Sequence, residues 1–185
     1  APVPPPAQAA QAPHQAARSA GSDARATLES GRTTVMLRNL PNDYTRDMLV
    51  GLLEREGFGG KFDFLYYPID FKRRAGFGYA FVNLSSPAEA LRVWRHFDGF
   101  VRWELPSSKV LEVCWANPLQ GLEHCTERYR NSPVMHEAVP EEFKPIVFSC
   151  GRRVPFPAPT KKIRCPRWNK SGLTFGSDGG VVGGA

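Results

Sequence analysis

Residues 77–84 read Phe77-Gly78-Tyr79-Ala80-Phe81-Val82-Asn83-Leu84, and they carry the marks of a β-strand. Aromatic and branched side chains suit a half-buried pleat, and Gly78 lets a neighbouring backbone or a ligand come close. Side chains alternate along a strand. Tyr79, Phe81 and Asn83 therefore share one face, and Ala80, Val82 and Leu84 share the other. The second row is core. The first sets two aromatic rings side by side where an ordinary surface strand carries Thr, Lys or Glu.

The octamer resembles the RNA-recognition-motif pattern K/R-G-F/Y-G/A-F-V-x-F/Y. Gly78, Tyr79, Ala80, Phe81 and Val82 match it, whereas Phe77 replaces the basic residue and Leu84 the last aromatic. Two exposed rings on a flat sheet make a stacking platform for unpaired bases, worth about 1–3 kcal/mol per base. The competing reading buries both rings beneath another element of the same chain.

Upstream, Thr34-Val35-Met36-Leu37-Arg38-Asn39-Leu40 reads as the first strand. Val35, Leu37 and Leu40 point to the core, which leaves Met36 and Arg38 on the Tyr79 face. Met36 stands where such motifs usually place an aromatic ring, and its sulfur still offers a polarizable contact. Arg38 can stack through its guanidinium plane or pair with phosphate; the alternative is a solvated charge. A second strand runs from Phe62 to Tyr67 and stops at Pro68. Its spacing to the octamer puts Leu65 and Tyr67 in the core and Phe62, Phe64 and Tyr66 in the opposite row, with Phe64 and Tyr66 widening the platform. A one-residue slip would exchange the rows. Residues 70–76 form a basic loop whose Lys72, Arg73 and Arg74 suit phosphate, or are simply a solvated face.

Two helices complete the pattern. Thr45 caps the first, which carries Met48, Leu49, Leu52 and Leu53 on one face and ends at the glycines after Glu56. Ser86-Pro87-Ala88-Glu89 is a capping box with proline at the first helical position, opening a helix to about Phe97 in which Trp94 packs. A last strand, 110–117, turns Leu111, Val113 and Trp115 inward and leaves Glu112, Cys114 and Asn117 on the platform side. The order β-α-β-β-α-β over residues 32–117 is the ferredoxin-like, α+β arrangement: an antiparallel sheet with both helices on one face. The other face is then free to bind.

Flanking segments are less regular. Residues 1–31 are rich in Ala, Pro and Gln and read as a disordered lead-in. Residues 118–157 begin with a helix from Pro118 to about Tyr129 and continue as an irregular, apolar stretch that packs on the domain. Residues 158–185 form a basic tail around Trp168 and a Gly-rich end, fit for nonspecific phosphate attraction or a nuclear address. The sequence opens at Ala1, as a piece of a larger protein would.

A chain of 185 residues with 42% hydrophobic and 23% charged content allows one globular domain with tails. A net charge of +6 and a pI near 9.4 favour a polyanionic partner. Cys114, Cys125, Cys150 and Cys165 are widely spaced, which argues for reduced thiols over a disulfide framework or a zinc site. Neither a membrane-length apolar run nor a signal-peptide core is present. No P-loop, paired carboxylates or nucleophile with a base stands out, so neither an enzyme nor a cofactor or small-molecule substrate is expected.

Longer stretches carry a more specific resemblance. Met36-Leu37-Arg38-Asn39-Leu40-Pro41-Asn42, residues 62–71 (Phe-Asp-Phe-Leu-Tyr-Tyr-Pro-Ile-Asp-Phe) and residues 78–83 resemble the carboxy-terminal RNA-recognition motif of the Mei-two-like family. These are meiosis- and development-linked RNA-binding proteins that include the plant terminal-ear group. Leu119-Gln120-Gly121-Leu122, Lys144-Pro145-Ile146-Val147-Phe148 and Pro155-Phe156-Pro157 resemble that family's extension, so the likeness covers residues 33–157. Met36 looks like a family trait. The loop from Arg73 to Phe77 is less polar than the family's, and the basic tail after Pro159 is unlike it.

The resemblance implies single-stranded RNA as partner, no catalysis, and a nuclear or nucleocytoplasmic setting. The expected RNA-binding residues are Met36, Arg38, Phe64, Tyr66, Lys72, Arg73, Arg74, Tyr79, Phe81, Asn83 and Asn117. The alternative is a protein-interaction module whose sheet face is covered by the extension.

Overall fold

The computed structural model describes residues 31–71, 73–169 and 172–174. Most of the lead-in, Lys72, Lys170 and the Gly-rich end lie outside the described residues. The domain is built on strands β1 (Thr34–Arg38) and β5 (Tyr79–Leu84), which pair antiparallel with Met36 opposite Phe81 and Arg38 opposite Tyr79. Outside them lie β6 (Glu112–Trp115) against β1 and β2 (Phe62–Tyr66) against β5. Helices α1 (Arg46–Leu53) and α2 (Pro87–Phe97) cover one face, as the ferredoxin-like reading requires. Thr45 Oγ1 accepts from Met48 N and Ser86 Oγ from Glu89 N, satisfying amides that each first turn leaves without a helical partner.

Between sheet and helices, Leu37, Leu49, Leu65, Val82, Val93 and Phe97 are sealed from solvent. Trp94 packs on Trp115 at 4.9 Å, the structural role its helical spacing predicts. Tyr67 belongs to this core, and its hydroxyl donates to the Pro41 carbonyl at 3.2 Å. Burial pushes that phenol up to about 12.

The sheet has six strands, not the expected four: with β7 (Ile146–Ser149) and β8 (Arg152–Val154) the order is β6-β1-β5-β2-β7-β8. The stretch read as irregular supplies the extra pair: β7 adds to β2, and β8 folds back on β7. Strand alternation explains why residues 146–148 do this. Ile146 and Phe148 face the helix-side core, Phe148 meeting the Phe62 ring at 5.0 Å, while Val147 faces the opposite side. Residues 69–76 are likewise not a plain loop, because Ile69–Asp70 (β3) and Ala75–Gly76 (β4) pair as a small hairpin.

Phe62 also departs from its expected row. A β-bulge between Phe62 and Phe64 inserts one residue, so Phe62 joins the helix-side core while Phe64 and Tyr66 keep the opposite face. The third helix, α3 (Leu122–Arg130), starts later than Pro118. Gly121 at φ 87° cannot be helical, and the preceding Gln120 side chain is committed to β1. Its Oε1 accepts from Thr33 N and Thr34 N, and its Nε2 donates to the Thr34 and Ala116 carbonyls. Gln120 thereby docks the extension on the strand end. No helix among the described residues is long and apolar enough to cross a membrane.

Candidate nucleic-acid interface

The face away from α1 and α2 is not uniformly open. A second apolar cluster forms there from Phe64, Tyr66, Cys125, Val134, Val139 and Val147. Helix α3 lays Tyr129 over the β2 rings, 5.7 Å from Phe64 in a stacked pose and 4.6 Å from Tyr66. Phe156 closes on Phe64 edge-on at 6.4 Å. Phe64 is 0% exposed and Tyr66 8% exposed. Burial raises both the Tyr66 and the Tyr129 phenols, each further raised by the other ring or by Tyr79. Two of the expected platform rings are thus occupied by the chain itself.

Asn83 is also inside, at 2% exposed. Its Oδ1 accepts from Thr33 Oγ1 at 2.8 Å and Thr34 Oγ1 at 2.7 Å, and its Nδ2 donates to Asp63 Oδ1 at 2.7 Å. Burial raises the Asp63 carboxyl above its ordinary range, and the Asn83 hydrogen bond offsets part of that. Asn83, Phe64 and Tyr66 are thus buried, Phe64 and Tyr66 beneath the extension and Asn83 in a hydrogen-bond network beside the bulge. Asn117 is exposed just beyond β6.

At the other end of the face, where β1 finishes and β5 begins, the sheet is open. Tyr79 and Phe81 are half-buried, their rings 5.8 Å apart and edge to face. Met36 is half-buried opposite Phe81, and Arg38 is exposed opposite Tyr79. Phe81 touches the cluster under α3, so it marks the boundary between covered and open sheet. Cys114 lies beside Met36 and has its thiol raised by burial, with Arg38 pulling it down and Glu112 pushing it up.

Phe77 extends the row, its ring roughly parallel to that of Tyr79 at 6.4 Å and 58% exposed. In the motif pattern Phe77 stands only in place of a basic residue, although its two-residue spacing from Tyr79 puts it on the ring face. Tyr129 was also legible as part of an apolar helical stripe, but not its target.

The basic residues before β5 are partly engaged. Arg74 Nη2 donates to Glu142 Oε1 at 2.8 Å, and its guanidinium sits 5.7 Å from the Phe143 ring. Arg73 is exposed, with its Nε 3.9 Å from Asp70 Oδ2. Exposed pairs of this kind are worth ~0–1 kcal/mol, so phosphate can compete with them. Lys72 lies outside the described residues.

With the sheet order, the half-open face and the octamer's central position established, comparison with known proteins is decisive. The family described as RNA recognition motif 2 matches residues 32–130. The chain belongs to the RNA recognition motif 2 family. Its relatives bear the names the sequence resemblance points to. Protein MEI2-like 3 of Arabidopsis thaliana is 39% identical over 121 residues, which is 65% of this chain and 15% of that protein. Protein terminal ear1 of Zea mays is 36% identical over 151 residues, covering 71% of this chain and 22% of that protein. Among solved structures, the Drosophila melanogaster Sex-lethal RNA recognition domains 1 and 2 superpose with a TM-score of 0.39 at 28% identity, over 46% of this chain and 50% of that one. The chain spans 13–23% of the length of the MEI2-like and terminal ear1 relatives. The family's RNA recognition motif accounts for the four-stranded part of the sheet and α1 to α3; β7 and β8 lie beyond residue 130.

Proposed function

We propose that the chain binds single-stranded RNA on the part of the sheet that α3 leaves open. The observation that carries this reading is the pair Tyr79 and Phe81, two half-exposed rings side by side on the central strand and flanked by the exposed Arg38. Successive bases stack on the two rings, Met36 bounds the site, and Arg38 meets the backbone. Arg73 and Arg74 add phosphate contacts at the rim when Asp70 and Glu142 release them. The site is displaced toward β1 and β6 relative to the full-width platform the sequence suggests, because Tyr129 already lies on the β2 rings. A nuclear or nucleocytoplasmic setting goes with this reading.

The test is Tyr79→Ala combined with Phe81→Ala, titrated against a random-sequence single-stranded RNA pool. Binding falls by two stacked bases, roughly 2–6 kcal/mol in total, while thermal melting changes little. Unchanged affinity in the double variant rules the reading out.

A second reading has one observation in its favour: the sealing of Phe64 and Tyr66 by α3 and Phe156. A sheet covered in this way serves a protein partner on the extension's outer surface. A partner retained by the Tyr79, Phe81 double variant, together with absent RNA binding in the wild type, would favour it.

A further inference from the structure

We propose that Phe77 is a third base-stacking residue, which carries the RNA site past the end of β5 and replaces the stacking surface lost beneath α3. The proposal rests on the RNA-binding reading and adds a residue that the motif pattern assigns to a cation.

Three observations converge on it. First, the backbone around Phe77 is held rigidly while its side chain is not used by the fold. Gly76 N donates to the Asn42 carbonyl at 2.8 Å, Phe77 N to the Pro68 carbonyl at 3.1 Å, and Leu40 N to the Gly78 carbonyl at 2.9 Å. Nothing in that framework needs a phenyl ring, yet one stands 58% in water on fixed backbone. A ring held this way loses little freedom when a base lands on it.

Second, Phe77 is not a solitary apolar residue of the kind any surface carries. Its ring runs roughly parallel to Tyr79, 26° between planes at 6.4 Å, so the aromatic surface continues from Phe81 through Tyr79 to Phe77. Gly78 permits this continuity. It sits at φ 82°, and a Cβ there would meet the Leu40 carbonyl oxygen at 3.4 Å.

Third, the charge around the ring suits a polyanion better than an apolar peptide. Arg38 is exposed opposite Tyr79. Lys109 Nζ donates to the Leu40 carbonyl at 2.9 Å and to Asn42 Oδ1 at 2.7 Å, neither of which neutralises it. That ammonium lies 3.9 Å from the position of a Gly78 Cβ, so a positive charge flanks the strand between the two rings. The occupant is a nucleotide of the same strand whose neighbour stacks on Tyr79.

The test compares Phe77→Ala, Phe77→Leu and Phe77→Tyr with Tyr79→Ala and Arg38→Gln, each titrated with a random-sequence single-stranded RNA pool across a salt series. Phe77→Ala and Phe77→Leu are expected to weaken binding roughly five- to a hundredfold without changing the salt slope. Arg38→Gln lowers that slope by about one unit. Phe77→Tyr, which keeps a flat ring, restores affinity, and ultraviolet crosslinking of the wild-type chain attaches a nucleotide at Phe77. Wild-type affinity in Phe77→Leu, while Tyr79→Ala loses binding, overturns the proposal and leaves the RNA reading standing. A wild-type chain that binds no RNA overturns both.

Discussion

The Tyr129 ring lies 4.6 Å from the Tyr66 ring at a 56° tilt and covers it from the side of the sheet away from α1 and α2. The platform is therefore shared. Its β2 half serves the chain's own helix, and its β1 and β5 half faces outward. Tyr129→Ala removes the shared ring and is expected to destabilise the fold by about 1–3 kcal/mol through lost burial and lost ring contacts. The same variant bares Phe64 and Tyr66, so RNA affinity rises; urea unfolding and RNA titration on one preparation measure both effects.

Gly76 has no room for a side chain. A Cβ there would stand 1.7 Å from the Tyr67 hydroxyl oxygen, and Tyr67 is itself locked in the core. Gly76→Ala is expected to cost more than the ~1–3 kcal/mol typical of overpacking. Combining it with Tyr67→Leu removes the obstructing hydroxyl and ring end. The double variant should be more stable than the sum of the two single losses by at least ~0.5 kcal/mol, read from denaturant midpoints in a mutant cycle.

Asn83→Ala takes the hub out of the network that joins β1, β5 and the bulge. Thr33, Thr34 and Asp63 all lose a partner, and a buried polar group left unsatisfied costs about 1–3 kcal/mol. Without the Asn83 donor, the Asp63 carboxyl should rise further above its already raised position. A raised carboxyl binds its proton more readily folded than unfolded, so stability in this variant falls more steeply as pH rises through that value. Denaturation at a series of pH values checks the sign.

Glu56 titrates in the opposite sense. Burial alone would raise its carboxyl, but the hydrogen bond with His96 at 2.5 Å and the Arg102 contact at 2.7 Å outweigh it and hold the group below its ordinary range. A lowered carboxylate contributes stability that is present above its unfolded value and is lost as pH falls through its folded one. Glu56→Gln should therefore flatten the acid limb of the stability curve by lowering stability slightly at neutral pH, while the two proteins converge at the acid end where the carboxyl is protonated in both states.

All five tyrosines are held above the usual phenol value, with burial as the leading cause in each. Alkaline absorbance titration should therefore show no phenol ionising at its ordinary pH while the chain is folded. Stability present below about pH 10 is lost above it, so ionisation and unfolding should rise together.

Much of this fold could be read in the sequence because local signals agreed with one another. The capping box at Ser86, the cap at Thr45 and the alternation from Tyr79 to Leu84 each specify an element without help from distant residues. The half-covered face could not be read in the same way. Whether Tyr66 meets water or Tyr129 depends on a contact between residues far apart in the chain, and periodicity records only which side a residue faces. Phe62 escaped because a bulge changes the count, and strand alternation has no way to register an inserted residue. The β7–β8 hairpin escaped because Pro145 and Pro155 made a short strand pair look like irregular chain. Asn83 keeps the row its spacing predicts, but periodicity carries no sign of its hydrogen bonds to Thr33, Thr34 and Asp63.

Arg46 shows where this folding unit ends. It is 5% exposed, and its Nη1 donates to the backbone carbonyls of Glu141 at 2.6 Å and Lys144 at 3.0 Å. A fragment trimmed at residue 130, the limit of the family match, would lose both acceptors and the turn that packs over α1, and would strip β7 from the flank of β2. The matched segment is therefore shorter than the packed unit, whose contacts run on through β7 and β8 to residue 154.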